Sequence, residues 1–524
     1  MSLSQKKYMP EQVLVVVGGG LAGMSAAIEA YNSNPSAQIV LVDKEQRLGG
    51  NSAKASSGIN GVGTETQKKL QVADSIPMFF DDVVKSGKGF TSPTLAQKLV
   101  DDSKDAVTWL QTAFNLDLDV LAQLGGHSAK RTHRRPDLPD GRPQPVGYGI
   151  TSTLGNHLSK LSSMEDGRLK LILNSRVTSL IKDESDGVVG VIYSTLDPNA
   201  GSEQSPETHL LSKAVILTTG GFAGEGPNFP PILSKYAPSL VGLPSTNGHF
   251  ATGDGLKLAV DVGAQLVDMD KVQVHPTGFL RLSDPNSPTK FLAAEALRGE
   301  GGILLNGLGH RFVNELGTRD AVTDSISANC ANESSLNLSV LSPNTPPESS
   351  KSPNAFLVLS EPAATKFGLG ALGFYVKMGL MFKSDSLSQL ASSLHVDVDT
   401  LKLVFTEYES ARAGLSHDKF GKTQFPSPLF NDQVDTSVLK SPNKAKDSPL
   451  GENTAYYWGI ITPVLHYTMG GVRFNNQAQV LRQDGTAIPV TGGLHGANRL
   501  GGNSLLECVV YGREAARQAS KLII

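Results

Sequence analysis

The chain has 524 residues, more than one hydrophobic core usually serves, so two or more domains are expected. Its 39% hydrophobic and 19% charged residues are ordinary for a globular protein, and a net charge of −3 argues against partners such as nucleic acid or an acidic membrane surface. No apolar run is long enough to span a bilayer, and residues 1–10 lack the pattern of a secretory or transit peptide, which favours a cytoplasmic location.

The first predicted element is a dinucleotide-binding turn between a strand and a helix. Residues 13–17 are a short β-branched run, typical of a strand buried on both faces, and residues 24–30 favour a helix. Between them, Gly18 permits a tight turn, Gly20 lets backbone N–H groups approach a pyrophosphate, and Gly23 allows close helix–strand packing. A glycine-rich turn without a ligand is the alternative interpretation.

The next segments favour FAD over NAD as the dinucleotide. A second predicted strand at 38–42 ends in Asp43, about 20 residues past the fingerprint, where a carboxylate can accept from a ribose hydroxyl. Residues 48–60 are rich in Gly, Ser and Asn, so their backbone can pass close to a large planar ligand, whereas NAD-only dehydrogenases usually return to ordinary βα units here. This segment contains no histidine for a covalent flavin bond, so we predict non-covalent FAD.

Three later pieces fit an FAD-binding domain. A strand predicted over 171–177 places Val177 where it can contact adenine. The stretch 214–222 is predicted to be a buried strand that breaks into glycines at Gly220, and Asp254 precedes a helical stretch. For each piece taken alone, a plain structural turn is an equally good interpretation.

The segment 275–320 combines charge with small and apolar residues. It carries His275, Glu295, Arg298 and Arg319 in Gly-rich, apolar surroundings. Buried charges persist only when they are paired or hydrogen-bonded, so this mixture indicates a site that holds a small dianion and passes it a proton. Separately, the spacing of Glu295 and Arg298 also fits a surface helical pair, the charged residues also fit a structural salt-bridge network, and His275 also fits a core histidine.

Six motifs, in order, carry a resemblance to a known family. They are Gly50-Asn51-Ser52, His275-Pro276-Thr277, Glu295-Ala296-Leu297-Arg298-Gly299, Thr318-Arg319-Asp320, His466-Tyr467-Thr468-Met469-Gly470-Gly471 and His495-Gly496-Ala497-Asn498-Arg499-Leu500-Gly501-Gly502-Asn503. With these motifs the chain resembles the succinate dehydrogenase/fumarate reductase flavoprotein family, and within it the soluble fungal-type fumarate reductases, from about residue 13 to residue 513.

The resemblance implies an α/β fold, in which a Rossmann-like FAD-binding domain carries an inserted α+β capping domain. It places the FAD-binding domain at 10–265 and 456–524 and the capping domain at 266–455. Substrate would then bind between the two domains, where a closed pocket can exclude water.

The resemblance also implies the reaction, which is reduction of fumarate to succinate by hydride from flavin N5 and a proton from Arg319. Glu295 and Arg298 would return that proton from solvent, because a guanidinium rarely gives up a proton unaided. His275, His466 and Arg499 would clamp the substrate carboxylates. The expected flavin contacts are Gly18, Gly20, Leu21, Ala22, Gly23, Asp43, Lys44, Gly50, Asn51, Ser52, Ser56, Ser57, Gly58, Val177, Thr219, Gly220, Asp254, Tyr467, Gly502, Ser504 and Leu505.

The electron donor is expected to be a separate molecule. The two cysteines, Cys330 and Cys508, are too few for a Cys-ligated iron–sulfur cluster or a disulfide framework, and no CxxCH motif is present. We therefore favour a soluble reduced flavin as donor and predict no metal site.

Two departures from the family pattern leave alternatives open. Ala294 stands where many relatives have Thr, so one hydroxyl contact to substrate is absent. At the junction of Pro489 and Val490, a strand-to-helix segment whose Glu contacts the flavin seems to be missing. The alternatives are a catalytically impaired flavin-binding homologue, or a sister flavoenzyme that acts on another enoate.

Overall fold

The computed structural model describes residues 9–139, 144–195, 206–224, 231–331, 335–341, 353–441, 445–446, 448–488 and 494–523. The junction of Pro489 and Val490, where the sequence predicts a missing segment, lies outside these described residues. Within them, no helix is both long and apolar enough to cross a membrane.

The strands fall into two larger sheets and several small ones. They are β1 Val13–Val17, β2 Gln38–Val42, β3 Ile59–Asn60, β4 Val120–Ala122, β5 Thr132–Arg134, β6 Leu169–Ile172, β7 Ser175–Lys182, β8 Val188–Thr195, β9 Glu207–Leu211, β10 Ala214–Leu217, β11 Leu266–Val267, β12 Gln273–Leu280, β13 Phe291–Leu292, β14 Ile303–Leu305, β15 Ala355–Ser360, β16 Phe382–Ser384, β17 Tyr456–Tyr467, β18 Gly471–Val472, β19 Val480–Leu481 and β20 Ala487–Ile488.

The helices cover one face of the first sheet and surround the second, while strands β7 and β8 contact the other face of the first sheet. They are α1 Leu21–Ser33, α2 Glu65–Lys69, α3 Ile76–Ser86, α4 Pro93–Asp101, α5 Ser103–Phe114, α6 Val146–Ser162, α7 Pro231–Tyr236, α8 Asp254–Asp261, α9 Glu295–Gly299, α10 Arg319–Asn329, α11 Leu338–Leu341, α12 Glu361–Phe367, α13 Leu369–Lys377, α14 Leu387–Leu394, α15 Val398–Arg412, α16 Thr436–Leu439 and α17 Asn503–Ser520, with 3₁₀ turns at Pro10–Gln12, Gly50–Lys54 and Pro238–Leu240.

The first sheet is parallel, with strand order β10-β1-β2-β6. All five residues of β1 are buried, and they alternate between two hydrophobic clusters: Leu14 and Val16 join one, while Val13, Val15 and Val17 join the other. A strand covered on both faces has no solvent side, which explains its unbroken apolar sequence. The strand predicted over 13–17 is confirmed.

One predicted strand was wrong in extent. The stretch 171–177 is divided between β6, which ends at Ile172, and β7, which begins at Ser175. Asn174 lies between them in the left-handed region, with φ 49°, so the chain turns there. Asparagine tolerates this conformation better than most residues, because its short polar side chain can bond locally. Val177 therefore lies in β7, opposite Tyr193.

The second sheet has the order β13-β12-β17-β15-β14, with β16 also paired to β17. Its long central strand β17 comes from the C-terminal part of the chain, and the other strands come from the middle part. The middle segment begins with the short strand β11, which pairs with β18 from the C-terminal part of the chain. We propose that the division at 10–265, 266–455 and 456–524 separates the two domains, with β17 as the strand that joins them.

The C-terminal helix α17 packs against α1, the helix that follows the glycine-rich turn. A side chain at Gly512 would place its Cβ 2.4 Å from the Ala22 carbonyl oxygen, so only glycine permits this approach. The contact places the middle of α17 beside the first turn of α1.

Candidate active site

The glycine-rich turn leaves open space at the N-terminus of α1. Gly18 has φ +106°, and a Cβ there would lie 2.5 Å from the Thr218 carbonyl oxygen. A Cβ at Gly23 would lie 1.9 Å from the Gly18 carbonyl oxygen, whereas a Cβ at Gly20 would meet no atom within 4 Å. This empty position beside free helix N–H groups fits the pyrophosphate of a dinucleotide.

Asp43 and Lys44 lie beside this turn. Asp43 accepts hydrogen bonds from the backbone N–H of Gly19 and, at 2.7 Å, from that of Glu45. Burial raises the pKa of Asp43, although these two N–H groups partly oppose the effect. Lys44 instead pairs with Asp254 at 2.8 Å. The structure thus places three of the predicted cofactor residues next to one another, with Asp254 at the start of α8.

The segment 48–60 passes alongside the turn, through a bridge between Gly20 and Gly49. The Asn51 side chain makes two hydrogen bonds within the protein: it donates to the Asn247 side chain at 2.8 Å and accepts from the Gly248 N–H at 2.9 Å. Ser56 Oγ is buried and has no hydrogen-bond partner among the described atoms. A buried hydroxyl without a partner is costly, so this atom fits a position against a bound flavin.

Some of the remaining predicted flavin contacts can offer a ligand only their backbone atoms. The side chains of Leu21 and Leu505 are in the hydrophobic core, so only their backbone atoms remain for a ligand. Gly502 has φ +84°, and a Cβ there would lie 2.2 Å from Asn60 Oδ1. Of the other predicted contacts, Ala22 lies in α1, Gly50 and Ser52 in the 3₁₀ turn Gly50–Lys54, Val177 in β7, Tyr467 in β17 and Ser504 in α17, whereas Ser57, Gly58, Thr219 and Gly220 lie outside helices and strands.

The two predicted clamp histidines lie on neighbouring antiparallel strands. His275 is on β12 and His466 on β17, with ring centroids 5.1 Å apart. His275 Nδ1 accepts the Thr277 N–H at 3.2 Å, and His466 Nδ1 lies 2.8 Å from the Thr246 hydroxyl. The neutral His275 ring therefore carries its proton on Nε2, which is buried and meets no partner in the described part of the chain.

Glu295 and Arg319 form a buried ion pair. Glu295 begins α9 and Arg319 begins α10, and Oε2 of the carboxylate lies 2.9 Å from Nη2 and 3.1 Å from Nε of the guanidinium. The Gly125 N–H donates to the other carboxylate oxygen at 2.8 Å, and Arg319 Nη1 donates to Gln273 Oε1 at 2.8 Å. Four contacts thus fix the pair.

Arg298 has fewer partners than its burial demands. Its Nη1 donates to the Glu315 carbonyl at 2.5 Å, while Nε and Nη2 are buried and meet no acceptor among the residues that the structure describes. Burial alone would raise the pKa of Glu295, but the charges of Arg319 and Arg298 outweigh it and lower that pKa to about 2. Glu295 is therefore ionised, and it lies close enough to both arginines for their charges to lower its pKa.

Arg499 completes the group from the segment before α17. Its guanidinium lies 4.4 Å from the centre of the Tyr467 ring, Nη1 donates to the Leu500 carbonyl at 3.2 Å, and Nε is buried without a described partner. Burial and the charge of Arg319 lower the pKa of Arg499 to about 9. A guanidinium held at such a cost fits a position that an anion occupies.

The cluster as a whole carries excess positive charge. Three guanidinium groups, of Arg298, Arg319 and Arg499, accompany one ionised carboxylate, that of Glu295. Burial, followed by these cationic neighbours, lowers the pKa of His275 well below its ordinary value. Such a site favours the binding of an anion.

Sequence reasoning missed three residues that the structure adds to this cluster. Gln273 binds Arg319, Gly125 binds Glu295, and Thr246 binds His466. The alternation of side chains along a strand offered a signal for Gln273, which lies two residues before His275. Nothing in the local sequence marks Gly125 or Thr246, because their partners are more than 100 residues away.

Comparison with known proteins identifies the family of this chain. The family model described as "FAD binding domain" matches residues 14–505. Fumarate reductase 1 of Saccharomyces cerevisiae is 40% identical over 514 residues, which cover 96% of this chain and 97% of that protein. The chain belongs to the fumarate reductase flavoprotein family. The predicted resemblance is thereby confirmed.

Further members of the family support the fold and the cofactor. The fumarate reductase of Schizosaccharomyces pombe is 37% identical over 520 residues, which cover 97% of this chain and 90% of that protein. A flavocytochrome c3 fumarate reductase, solved in an open conformation, superposes with a TM-score of 0.69 at 29% identity, over 98% of this chain and 79% of that one. The α/β flavoprotein fold and the FAD cofactor are confirmed, and this family member is an oxidoreductase whose relatives act on a CH–CH bond.

Proposed function

We propose that this flavoprotein reduces fumarate to succinate. The observation that carries the proposal is the set of buried donors without partners, His275 Nε2, Arg298 Nε and Nη2, and Arg499 Nε, in a cluster with excess positive charge. Fumarate has two carboxylates on a flat C=C bond, and both its charge and its acceptors match these donors. Two curated relatives, at 40% and 37% identity, are named fumarate reductases.

The clamp consists of His275, His466 and Arg499. The histidines approach from the sheet of the middle segment and Arg499 from the segment before α17, so the substrate lies between two parts of the chain. Fixing both carboxylates orients the C=C bond and polarises it, and orientation supplies much of the acceleration in reactions of this kind. When bound, FAD supplies a hydride from N5 to one alkene carbon.

Arg319 supplies the proton to the other carbon. Loss of that proton removes the positive charge that holds the pKa of Glu295 low, so Glu295 gains proton affinity at that moment. Glu295 then takes a proton that arrives through Arg298 and passes it to Arg319 across the 2.9 Å contact. Because Arg298 donates to the Glu315 carbonyl in this structure, a rotated side chain or a bridging water would make the link to Glu295.

The test follows the flavin absorbance of the FAD-loaded protein under anaerobic conditions. The reduced flavin should be reoxidised on addition of fumarate, and one succinate should form for each flavin. A flavin that binds and can be reduced, but is not reoxidised by fumarate, would disprove the proposal. It would also favour the catalytically impaired homologue that the sequence around Val490 left open.

Two finer parts of the proposal are tested with the same preparation. A soluble reduced flavin is the donor we favour, because the sequence offers neither a Cys-ligated cluster nor a CxxCH motif for carrying electrons. Turnover should then begin with reduced FMN or FAD and not with NADH alone. The alternative of another enoate predicts that a monocarboxylate such as crotonate reoxidises the flavin as fast as fumarate does, whereas the excess charge of the site favours the dicarboxylate.

A further inference from the structure

A buried glutamate outside the proton route connects two parts of the site. Glu507 lies in the second turn of α17, with 15% of its side chain exposed. It accepts a hydrogen bond from the Tyr467 hydroxyl, and its other oxygen lies 2.6 Å from His495 Nε2. Burial raises the pKa of its carboxyl well above the ordinary value. Neither the proposed clamp nor the proposed relay uses this group.

Both partners of Glu507 lead to Arg499. The Tyr467 ring lies under the Arg499 guanidinium, with 4.4 Å between the ring centre and the guanidinium carbon. His495 lies four residues before Arg499, in a stretch of chain with no helix or strand to hold it. Since the Arg499 guanidinium donates a single described hydrogen bond, to the Leu500 carbonyl, these two supports largely determine where its charge lies.

The same glutamate also supports the other side of the clamp. Tyr467 follows His466 at the end of β17, and it pairs in register with Gln273 on β12. Gln273 in turn holds Arg319 and donates to the Asn498 side chain, next to Arg499. A change at Glu507 therefore reaches the substrate site through the Tyr467 ring and through the segment that begins at His495.

Glu507 does not act as a counter-ion of Arg499. It shares one proton with His495, because burial favours the neutral form of each group. Whichever of the two atoms holds that proton, the pair has no net charge. The positive charge of Arg499 thus stays available for a substrate carboxylate, and a full negative charge at Glu507 would compete with that substrate.

We propose that Glu507 is a positioning residue of the substrate clamp: by holding Tyr467 and His495, it fixes the Arg499 guanidinium where a carboxylate of the substrate binds. This role rests on the proposed function. A purely structural contribution to the core is the competing account. The two differ in whether loss of the contact changes dicarboxylate binding or only the stability of the fold.

The test uses the FAD-loaded full-length protein and three variants: Glu507→Leu, Tyr467→Phe and Glu514→Leu. The last is a matched control, a buried glutamate two helical turns further along α17 that binds Lys98 and Gln518 away from the site. Each variant is assayed for FAD content, melting temperature, fumarate KM and kcat, and for binding of succinate through the change it causes in the flavin absorbance.

Glu507→Leu removes both hydrogen bonds, so it should raise the fumarate KM and the succinate Kd about tenfold, with a smaller loss of kcat and unchanged FAD content. Glu514→Leu should lower the melting temperature without changing either constant. Tyr467→Phe keeps the ring and removes only the hydroxyl, so it should raise both constants about threefold, and it carries the test if Glu507→Leu does not hold FAD.

Unchanged binding constants in Glu507→Leu, or in Tyr467→Phe where that variant carries the test, would overturn the positioning role and leave a structural one. If neither fumarate nor succinate perturbs the flavin of the wild-type protein, the proposed function itself fails, and this inference fails with it. If wild-type binding is normal and only the variants fail to differ, the proposed function stands without it.

Discussion

The carboxylate of Glu295 lies 2.9 Å from the guanidinium of Arg319, and less than a tenth of either residue is exposed. Burial of such a pair costs desolvation energy, and apolar residues in its place would often give a fold of equal or greater stability. Its persistence beside the unpartnered nitrogens of Arg298 indicates a use in chemistry. The predictions that follow test that use and the site around it.

Glu295→Gln should lower kcat for fumarate about 100-fold while changing KM much less. The amide keeps the size of the side chain and an acceptor for the Gly125 N–H, but it cannot take up and release a proton at neutral pH. Steady-state rates across pH 6–9 measure the effect. An equal loss in kcat and in substrate affinity would show that Glu295 shapes the site instead of moving protons.

Arg499→Met should weaken fumarate binding about 100-fold or more, because a charged hydrogen bond to a buried carboxylate is lost. Its effect on a monocarboxylate enoate should be much smaller, so the preference for fumarate should fall. Arg517→Lys serves as the control, since Arg517 is partly exposed on α17 and pairs with Glu29 away from the site. Parallel losses for both substrates would contradict the assignment of Arg499 to one carboxylate.

Substitutions in the glycine-rich turn distinguish a position needed for FAD binding from a position needed for folding. Gly20 has φ −69°, which any residue adopts, and a Cβ there meets no protein atom, so Gly20→Ala should fold but lose most of its FAD. Gly23→Ala should lower the stability of the apoprotein as well, because its Cβ would lie 1.9 Å from the Gly18 carbonyl oxygen. Gly155→Ala, where the nearest atom is 3.9 Å away, is the control. Flavin absorbance and the melting temperature of the apoprotein distinguish the cases.

Stability should fall as the pH drops from about 6.5 toward 5. Burial lowers the pKa of His127 and His133 to about 4, and it lowers the pKa of His275 well below the ordinary range. His466 and His495 behave in the same way. A folded pKa below the unfolded one means that the unfolded chain binds protons first, so the stability present above pH 6.5 is lost on acidification.

Buried histidines account for most of this loss. His127 and His133 should each cost about 2 kcal/mol by pH 5. Glu507 acts in the opposite direction over the same range, because its raised pKa means that the folded chain binds that proton first. The carboxylates Glu295 and Glu315, with pKa values of about 2, add to the loss only below about pH 4.5. The five histidines outweigh the one glutamate, so the melting temperature should fall between pH 7.5 and pH 5, and a constant value would contradict their burial in neutral form.

Much of the fold around the cofactor was predictable because its signals are local. The apolar strand β1, the turn at Gly18 and the helix α1 follow one another within about 20 residues, and each has its own sequence pattern. Glu295 and Arg298 were also recognisable from a local motif, although their spacing did not show that both are buried. The break at Asn174 went unseen, because β6 and β7 together have the pattern of one strand.

The contacts that complete the site were less accessible to sequence reasoning. Glu507 and Tyr467 are 40 residues apart, and Glu295 and Gly125 are 170 apart, so no periodic pattern links them. The placement of β17 in the sheet of the middle segment depends in the same way on pairing between distant strands. Spacing within a motif predicts neighbours along one helix or strand, whereas these contacts form only when the sheets assemble.

The most direct test of the account is a single-turnover measurement on Arg319→Lys. The lysine keeps a positive charge but loses the bidentate contact with Glu295 and the proton-donating geometry. With FAD bound and reduced, the wild-type flavin should be reoxidised by fumarate, whereas the variant should bind FAD and dicarboxylate but react at least about 1000-fold more slowly. Reoxidation of the variant flavin at the wild-type rate would contradict the role of Arg319 as the proton donor.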